Sequence, residues 1–427
     1  MVGSGAWISP PWGRSGVVVA ALLLGAGCNV PDPPGSTGGV NTSAGVCGRG
    51  VTVVSTDFQS ANVSLVDLDG AVLSSSILSS GTTSPVLSAP LSGDLVFPTM
   101  PQRSDRMVVL DRFMVSVLTW VDVESGEVSS QLSVATGFSA NPQDYVEVAP
   151  DKAYISRLDP NLDAGAEPFD GGSDVLIVDP SAPAITGRIE LSPALAGEDP
   201  AHLPRPNRMV MADRKLYVLL SAYSLDFMSS AESRIVTVDL DTDTIVDVTV
   251  LQGMHGCGAL ALSPSGDRLA VGCSGTLAAS GASTLADAGV VVLSRGESLA
   301  EVTRRPAGDF GQAPPGLSIA FATEDDLVFT TMGSFGGDGD QAADDSVLSM
   351  SIETGDVEVL LRSADAPFSI GDVQCAAGCS ACFIADAETQ GGVVHRFDVD
   401  AGGALVNPTQ IVVDTAIRLP PRYLGRF

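Results

Sequence analysis

From residue 50 onward, short apolar stretches alternate with turns rich in Gly, Pro, Ser and Asp. The clearest recurring unit is a strand with apolar side chains, closed by an acidic turn. It reads VSLVDLDG at 63–70, VLTWVDVESG at 117–126, VLIVDPSA at 175–182 and IVTVDLDTD at 235–243. Weaker copies are VVVLSRGES at 290–298, VLSMSIETG at 347–355 and VVHRFDVDAG at 393–402. With Asp67 as marker, the equivalents are Asp122, Asp179, Asp239, Ser294, Ser351 and Asp398, at spacings of 55, 57, 60, 55, 57 and 47. A period near fifty with several short strands per repeat marks a propeller or a solenoid. A hairpin precedes the marker strand in most repeats, most plainly GALALSPSGDRLAVG at 258–272. There two alternating strands flank a tight turn. The hairpin, the marker strand and one further strand give four strands per repeat, the content of a propeller blade. No long amphipathic helix interrupts the series, which argues against helical and leucine-rich solenoids.

The pattern therefore predicts an all-β chain, a seven-bladed β-propeller of four-stranded antiparallel blades over residues 50–427. Its ends predict how it closes. The first marker strand has one strand before it, VTVVST at 51–56, so blade 1 lacks its innermost strand. The tail DTAIRLPPRYLGRF at 414–427 is left over after the last repeat. Part of it is expected to supply that strand, because an open ring would expose sheet edges.

The hairpin Leu262-Ser263-Pro264-Ser265-Gly266-Asp267-Arg268-Leu269 and the strand Ile235-Val236-Thr237-Val238-Asp239-Leu240-Asp241-Thr242 resemble the blade motifs of the YVTN-type propeller family. The resemblance covers roughly residues 50–416. It implies a seven-bladed ring. That family includes lactonase-like and dehydrogenase-like enzymes and members without known activity, so function does not follow from the fold.

Upstream the pattern changes. Residues 17–28 read VVVAALLLGAGC, too short an apolar run to span a bilayer but long enough for the core of a secretory signal. With Arg14 before it and Cys28 after it, the segment resembles a bacterial lipoprotein signal. That resemblance implies removal of residues 1–27, acylation of Cys28 and a place in the cell envelope. Asn29 rather than Asp after the cysteine is similar to the enterobacterial sorting pattern, and that resemblance implies the outer membrane. Residues 29–46, NVPDPPGSTGGVNTSAGV, cannot bury apolar surface, and 28–49 reads as a flexible, lipidated linker. The membrane is the one partner named in this way.

Composition narrows the picture further. A formal net charge of −29 repels phosphate backbones, which excludes nucleic acid as a partner. Besides Cys28 there are six cysteines, Cys47, Cys257, Cys273, Cys375, Cys379 and Cys382. In an exported protein these imply up to three disulfides, with fifteen connectivities open. Cys257 and Cys273 are symmetric about Ser265 and face each other across one hairpin. Cys375 and Cys382 flank the equivalent turn of blade 7, with Cys379 in it. A Cys47–Cys379 bridge would then join the first blade to the last. Cys375, Cys379 and Cys382 could instead hold a metal, but no histidine lies nearby in sequence.

Catalytic motifs are missing: there is no H-E-x-x-H, G-x-S-x-G, Walker loop or dinucleotide fingerprint. The candidate ligand-binding residues are His255 in GMHGCG, His202 and Arg205 in EDPAHLPRPNR, and Arg304 with Arg305. In an antiparallel four-stranded blade, the second-to-third-strand loop and the connector to the next blade emerge on one face. Those loops are long at about 157–174, 221–233, 274–288 and 332–345, and so are the connectors 192–207 and 304–316. A binding surface for a protein or small molecule is expected on that face. Calcium is conceivable at Asp239-x-Asp241-x-Asp243, or among Asp338, Asp340, Asp344 and Asp345; otherwise no cofactor or metal is expected. The function read from this is binding or scaffolding, with two alternatives. One is a lactonase-like or quinoprotein-like enzyme at the channel mouth, and the other is an outer-membrane protein assembly factor.

Overall fold

A computed structural model describes residues 47–427, except 104, 113, 277–284, 312, 335–342, 364–366, 377 and 389–391. The calcium candidates Asp338 and Asp340, the acylation site Cys28 and residues 1–46 fall outside the described residues.

Blade 1 contains β1 (Gly50–Thr56), β2 (Ala61–Asp67) and β3 (Val72–Ser79). Blade 2 contains β4 (Leu95–Val96), β5 (Arg106–Asp111), β6 (Val117–Asp122) and β7 (Val128–Ser133). Blade 3 contains β8 (Pro142–Ala149), β9 (Lys152–Pro160), β10 (Gly172–Asp179) and β11 (Ala184–Ile189). Blade 4 contains β12 (Pro206–Ala212), β13 (Lys215–Leu220), β14 (Arg234–Asp239) and β15 (Thr244–Val250). Blade 5 contains β16 (Cys257–Leu262), β17 (Arg268–Cys273), β18 (Gly289–Ser294) and β19 (Ala300–Pro306). Blade 6 contains β20 (Pro315–Phe321), β21 (Asp326–Thr331), β22 (Ser346–Ser351) and β23 (Val357–Arg362). Blade 7 contains β24 (Ile370–Ala376), β25 (Ala381–Asp386), β26 (Val393–Val399) and β27 (Leu405–Ile411). The last strand, β28 (Pro421–Arg426), pairs antiparallel with β1 in the order β28-β1-β2-β3. The chain is thus a seven-bladed propeller closed by its C-terminal strand. Pro421 is tolerated because it is the strand's first residue.

The side-chain pattern follows position in the blade. The middle strands pack against neighbouring blades on both faces, so they read as apolar runs; β6, VLTWVD, is buried in all but its last residue. The outermost strands alternate, as in AITGRI of β11. The core is divided into slabs between consecutive blades. One holds Trp120 of blade 2 edge-on to Tyr145 of blade 3, with ring centroids 6.3 Å apart. Another holds Val51, Val66 and Leu424 of blade 1 against Phe383 and Val394 of blade 7.

The marker aspartates end the third strands because their carboxylates take backbone N–H groups of the turn, which a short acidic side chain does well. Asp67 Oδ1 accepts from Ala71 at 2.7 Å, Asp179 Oδ1 from Ser181 at 2.8 Å, and Asp239 Oδ1 from Thr242 at 2.9 Å. Disulfides join Cys257–Cys273, Cys375–Cys382 and Cys47–Cys379. The metal alternative for Cys375, Cys379 and Cys382 is thereby removed.

Several loop boundaries differ from expectation. In blade 3, strand pairing continues to Pro160 and resumes at Gly172, so the loop is 161–171. The connectors are 190–205 and 307–314. Arg304 and Arg305 therefore lie on β19 and not in a connector, because β18 pairs with that strand as far as Pro306. Among the described residues, no helix is long and apolar enough to cross a membrane.

Candidate functional site

Strands in each blade are named A to D from the channel outwards. A–B and C–D turns lie on one side of the ring, B–C loops and D–A connectors on the other. Two places collect polar side chains: the channel wall and the B–C side of blades 3 to 5.

In the channel, the innermost strands β8, β12, β16, β20 and β24 all slip register against their B strands near the B–C end. Such bulges turn side chains and leave backbone donors outside the ladder. Here the residue at the bulge of one blade satisfies the next. Asp144 Oδ2 accepts from the N–H of Met209 at 2.7 Å, Ser318 Oγ from Val373 at 2.9 Å, and Asp372 Oδ2 from Leu424 at 3.1 Å. Asp144 Oδ1 also takes the N–H of Thr99 at 2.9 Å and of Tyr145 at 2.8 Å. Burial pushes both carboxyls above the usual range, and the Arg208 guanidinium opposes this for each. Arg208 is half-buried and donates to the Gln143 carbonyl at 3.3 Å. It lines a narrow channel cavity with Thr99, Leu317, Asp372 and Gln374. Arg208 closes the stretch EDPAHLPRPNR, where the sequence leaves it either to meet an anionic ligand or to stand as a solvated loop charge; Asp144 and Asp372 were not among the sequence's candidates. The available signal was Pro142-x-Asp144 and Pro206-x-Arg208, a polar residue two places after the proline that opens an inner strand.

A cavity of about 260 Å³ opens beside the channel toward the A–B side, between blades 2, 3 and 4. Its charges satisfy one another: Arg106 pairs with Glu147 at 2.8 Å, and the Tyr145 hydroxyl donates to Glu147 at 2.8 Å.

On the B–C side, the candidate histidines meet one loop. His202 Nε2 lies 3.3 Å from Ser229 Oγ, and His255 Nδ1 lies 3.0 Å from Ser230 Oγ. These adjacent serines belong to the blade 4 loop 221–233. Arg205 is 1% exposed. Its guanidinium pairs with Asp159 and donates to the Leu225 carbonyl at 3.1 Å, with the Phe227 ring 4.3 Å away. It joins the loops of blades 3 and 4 and has no surface to offer an anion. Arg157 does the same between blades 2 and 3, fully buried against Asp174 at 2.7 Å and donating to Val134 and Phe169 carbonyls. Arg234 holds the 190–205 connector through Ala194 O at 2.8 Å and Glu198 at 2.8 Å. Arg304 is taken by Glu301 at 2.6 Å and by the Gln252 carbonyl, and Arg305 donates to Thr354 O at 3.0 Å. The structure therefore brings His202, His255 and Arg205 together around loop 221–233, and leaves Arg304 and Arg305 apart on β19.

The calcium candidates among the described residues do not converge. Asp239 caps its turn, Asp241 pairs with Arg214, and Asp243 pairs with Lys152 at 2.8 Å. Asp345 accepts the N–H groups of Gly333 at 2.7 Å and Ser369 at 2.6 Å. Among the described residues no three His, Cys, Asp or Glu side chains are grouped to hold a metal ion.

Exposed apolar side chains are concentrated on this side. Phe58, Met114, Leu162, Leu225 and Met228 stand on B–C loops, and Phe368 and Ile417 on D–A connectors, each between 46% and 75% exposed.

Solved propellers share this architecture. A Bacteroides fragilis protein described as a candidate 6-phosphogluconolactonase superposes with a TM-score of 0.55 at 11% identity, over 90% of this chain and 98% of that one. The periplasmic gluconolactonase PpgL of Pseudomonas aeruginosa gives 0.51 at 12%, over 88% and 98%. The β-propeller domain of Cps50 (Swd1) from Myceliophteria thermophila gives 0.54 at 11%, over 82% and 94%. What is shared is the fold. No protein-family model matches the chain, and no curated protein sequence does.

Proposed function

We propose that this chain is an extracytoplasmic binding module, held in the bacterial envelope by lipid on Cys28, whose ligand face is the B–C side of blades 3 to 5. The observation that carries the reading is the fixing of loop 221–233 from three sides by His202, Arg205 and His255. Ordering a loop during folding removes that entropy cost from binding. A photo-reactive residue at Met228 is expected to cross-link a discrete envelope component that the same residue at Glu124, on the C–D side, does not. Equal labelling from both positions overturns the reading. Anchoring is checked by mass spectrometry of the mature N-terminus, where a diacylated or triacylated Cys28 is expected.

A second reading, a lactonase-like enzyme, has one feature in its favour: the Arg208 guanidinium stands in the channel beside Asp372, positioned to polarise a carbonyl or hold an anionic substrate. Its difficulty is that the channel carboxylates already accept backbone N–H groups. Ring-opening of γ- and δ-lactones by the purified chain, abolished by Arg208→Ala, would replace binding with catalysis.

A further inference from the structure

The B–C side of blades 3 and 4 combines two properties that rarely coincide on a solvated surface. It is apolar: Leu162 of loop 161–171 and Leu225 and Met228 of loop 221–233 are exposed, and Arg205 ties the two loops together between Asp159 and Leu225. It is also acidic. Exposed Asp163, Glu167, Asp199 and Asp226 stand in the same loops and the adjoining connector. Hydrogen bonds from Ser224 and Met228 hold the Asp226 carboxyl below the usual range, so it stays ionised. The basic side chains of loops 161–171 and 221–233 and connector 190–205 are His202 and Arg205, and Arg205 is buried in its ion pair. The two lysines of the chain, Lys152 and Lys215, begin the B strands next to the A–B turns on the opposite side.

From this we infer that the B–C side of blades 3 and 4 docks a basic, apolar segment of a partner protein. The inference rests on the binding-module reading and names the chemistry of its partner. Charge complementarity selects the occupant. An anionic lipid surface and a second copy of this chain, at a net charge of −29, both bring like charge to the exposed carboxylates. A cationic segment brings opposite charge, and its apolar side chains cover Leu162, Leu225 and Met228. The disulfide from Cys47 to Cys379, in the A–B turn of blade 7, places the chain's entry into the propeller on the other side.

Residues 47–427 include every strand of the closed ring, so the test uses the chain from residue 29 onward, without lipid. The probe is a fluorescein-labelled peptide of three Lys-Leu-Lys-Phe repeats, titrated by anisotropy at low and physiological salt, with a Lys-only peptide of equal length beside it. The mixed peptide is expected to bind at least tenfold more tightly than the Lys-only one. The triple variant L162S/L225S/M228S is expected to weaken it at least tenfold with its melting temperature unchanged. Changing Asp163, Glu167 and Asp226 to their amides is expected to weaken it and to flatten its salt dependence. Neutralising exposed Asp69, Glu124 and Asp356 on the C–D side is expected to leave it unchanged. Equal binding of the Lys-only peptide, an equal loss from the C–D variant, or tighter binding to phosphatidylglycerol vesicles overturns the inference. If peptide binding fails while the Met228 cross-link still forms, the binding-module reading stands and this partner chemistry falls.

Discussion

Asp111 shows what one buried carboxyl does to this protein's response to pH. It ends β5, fully buried, and accepts the Ser92 N–H at 2.7 Å and the Ser92 hydroxyl at 2.6 Å. Burial outweighs those hydrogen bonds and pushes its pKa up to about 6 from 3.8. Between those values the folded state binds more protons than the unfolded chain. The contribution of Asp111 to stability is therefore complete below pH 3.8 and is lost as pH rises through about 6, by about 3 kcal/mol. Asp111→Asn is expected to remove this loss, so that the difference in stability between pH 4 and pH 7 changes by that amount relative to the parent, as measured by urea unfolding at each pH. A second residue-scale prediction concerns Arg157. Replacing it with Met removes the bidentate partner of buried Asp174 and leaves it with Arg188 alone, at 3.6 Å. Such a loss costs about 3–5 kcal/mol. The double variant R157M/D174L should recover most of it, and a melting series on the two proteins checks the coupling.

At the scale of the element, the repeated strands and the closing strand β28 were legible, and the bulges that join one blade to the next were not. The C strands announce themselves because both faces are buried and an aspartate closes most of their turns, as Asp122 and Asp239 do, with Ser294 and Ser351 in the other two. Alignment of the blades placed Cys375 and Cys382 on either side of the blade 7 hairpin turn, where they pair. The A-strand bulges left no comparable pattern. They depend on a donor in one blade meeting an acceptor in the preceding blade, a contact about 65 residues apart for Asp144 and Met209. The candidate site was legible in the same partial way. Loop length pointed to the B–C side, but Arg205 looked like a free cation because the sequence does not show that Asp159 lies beside it. The bulges give this scale its prediction. Asp144→Ala strands three backbone N–H groups, of Thr99, Tyr145 and Met209, in a buried wall. At about 1–3 kcal/mol for each unsatisfied donor, the loss should exceed that of most single substitutions. Asp144→Asn keeps one acceptor oxygen and is expected to fall between. If Ala and Asn variants melt together at the parental temperature, the side chain is not what joins blades 2, 3 and 4.

For the whole molecule, the decisive contact is where the ring meets itself, and it is made twice. β28 supplies the inner strand of blade 1, and with the residue after it fills two slabs, Leu424 lying between blades 7 and 1 and Phe427 between blades 1 and 2. Independently, Cys47–Cys379 joins the approach to β1 to the A–B turn of blade 7. Arg426 connects the two closures, donating to Cys375 O at 3.1 Å and to Cys47 O at 3.1 Å. The disulfide links positions 332 residues apart, a separation for which chain entropy allows up to about 6 kcal/mol. Much of that constraint is redundant while β28 holds the ring shut, since the two closures restrict the same opening. Removing the disulfide with Cys47→Ser and Cys379→Ser should therefore cost the intact chain less than it costs a chain ending at residue 420. Deleting 421–427 alone should lower the melting temperature and expose the inner edge of β1, with aggregation as the consequence. Removing both should open the ring, seen as a larger radius of gyration in solution scattering and as new proteolytic cuts between blades 7 and 1. Equal losses from the disulfide in both backgrounds would mean that the two closures act on different transitions, and that β28 completes blade 1 without holding the circle together.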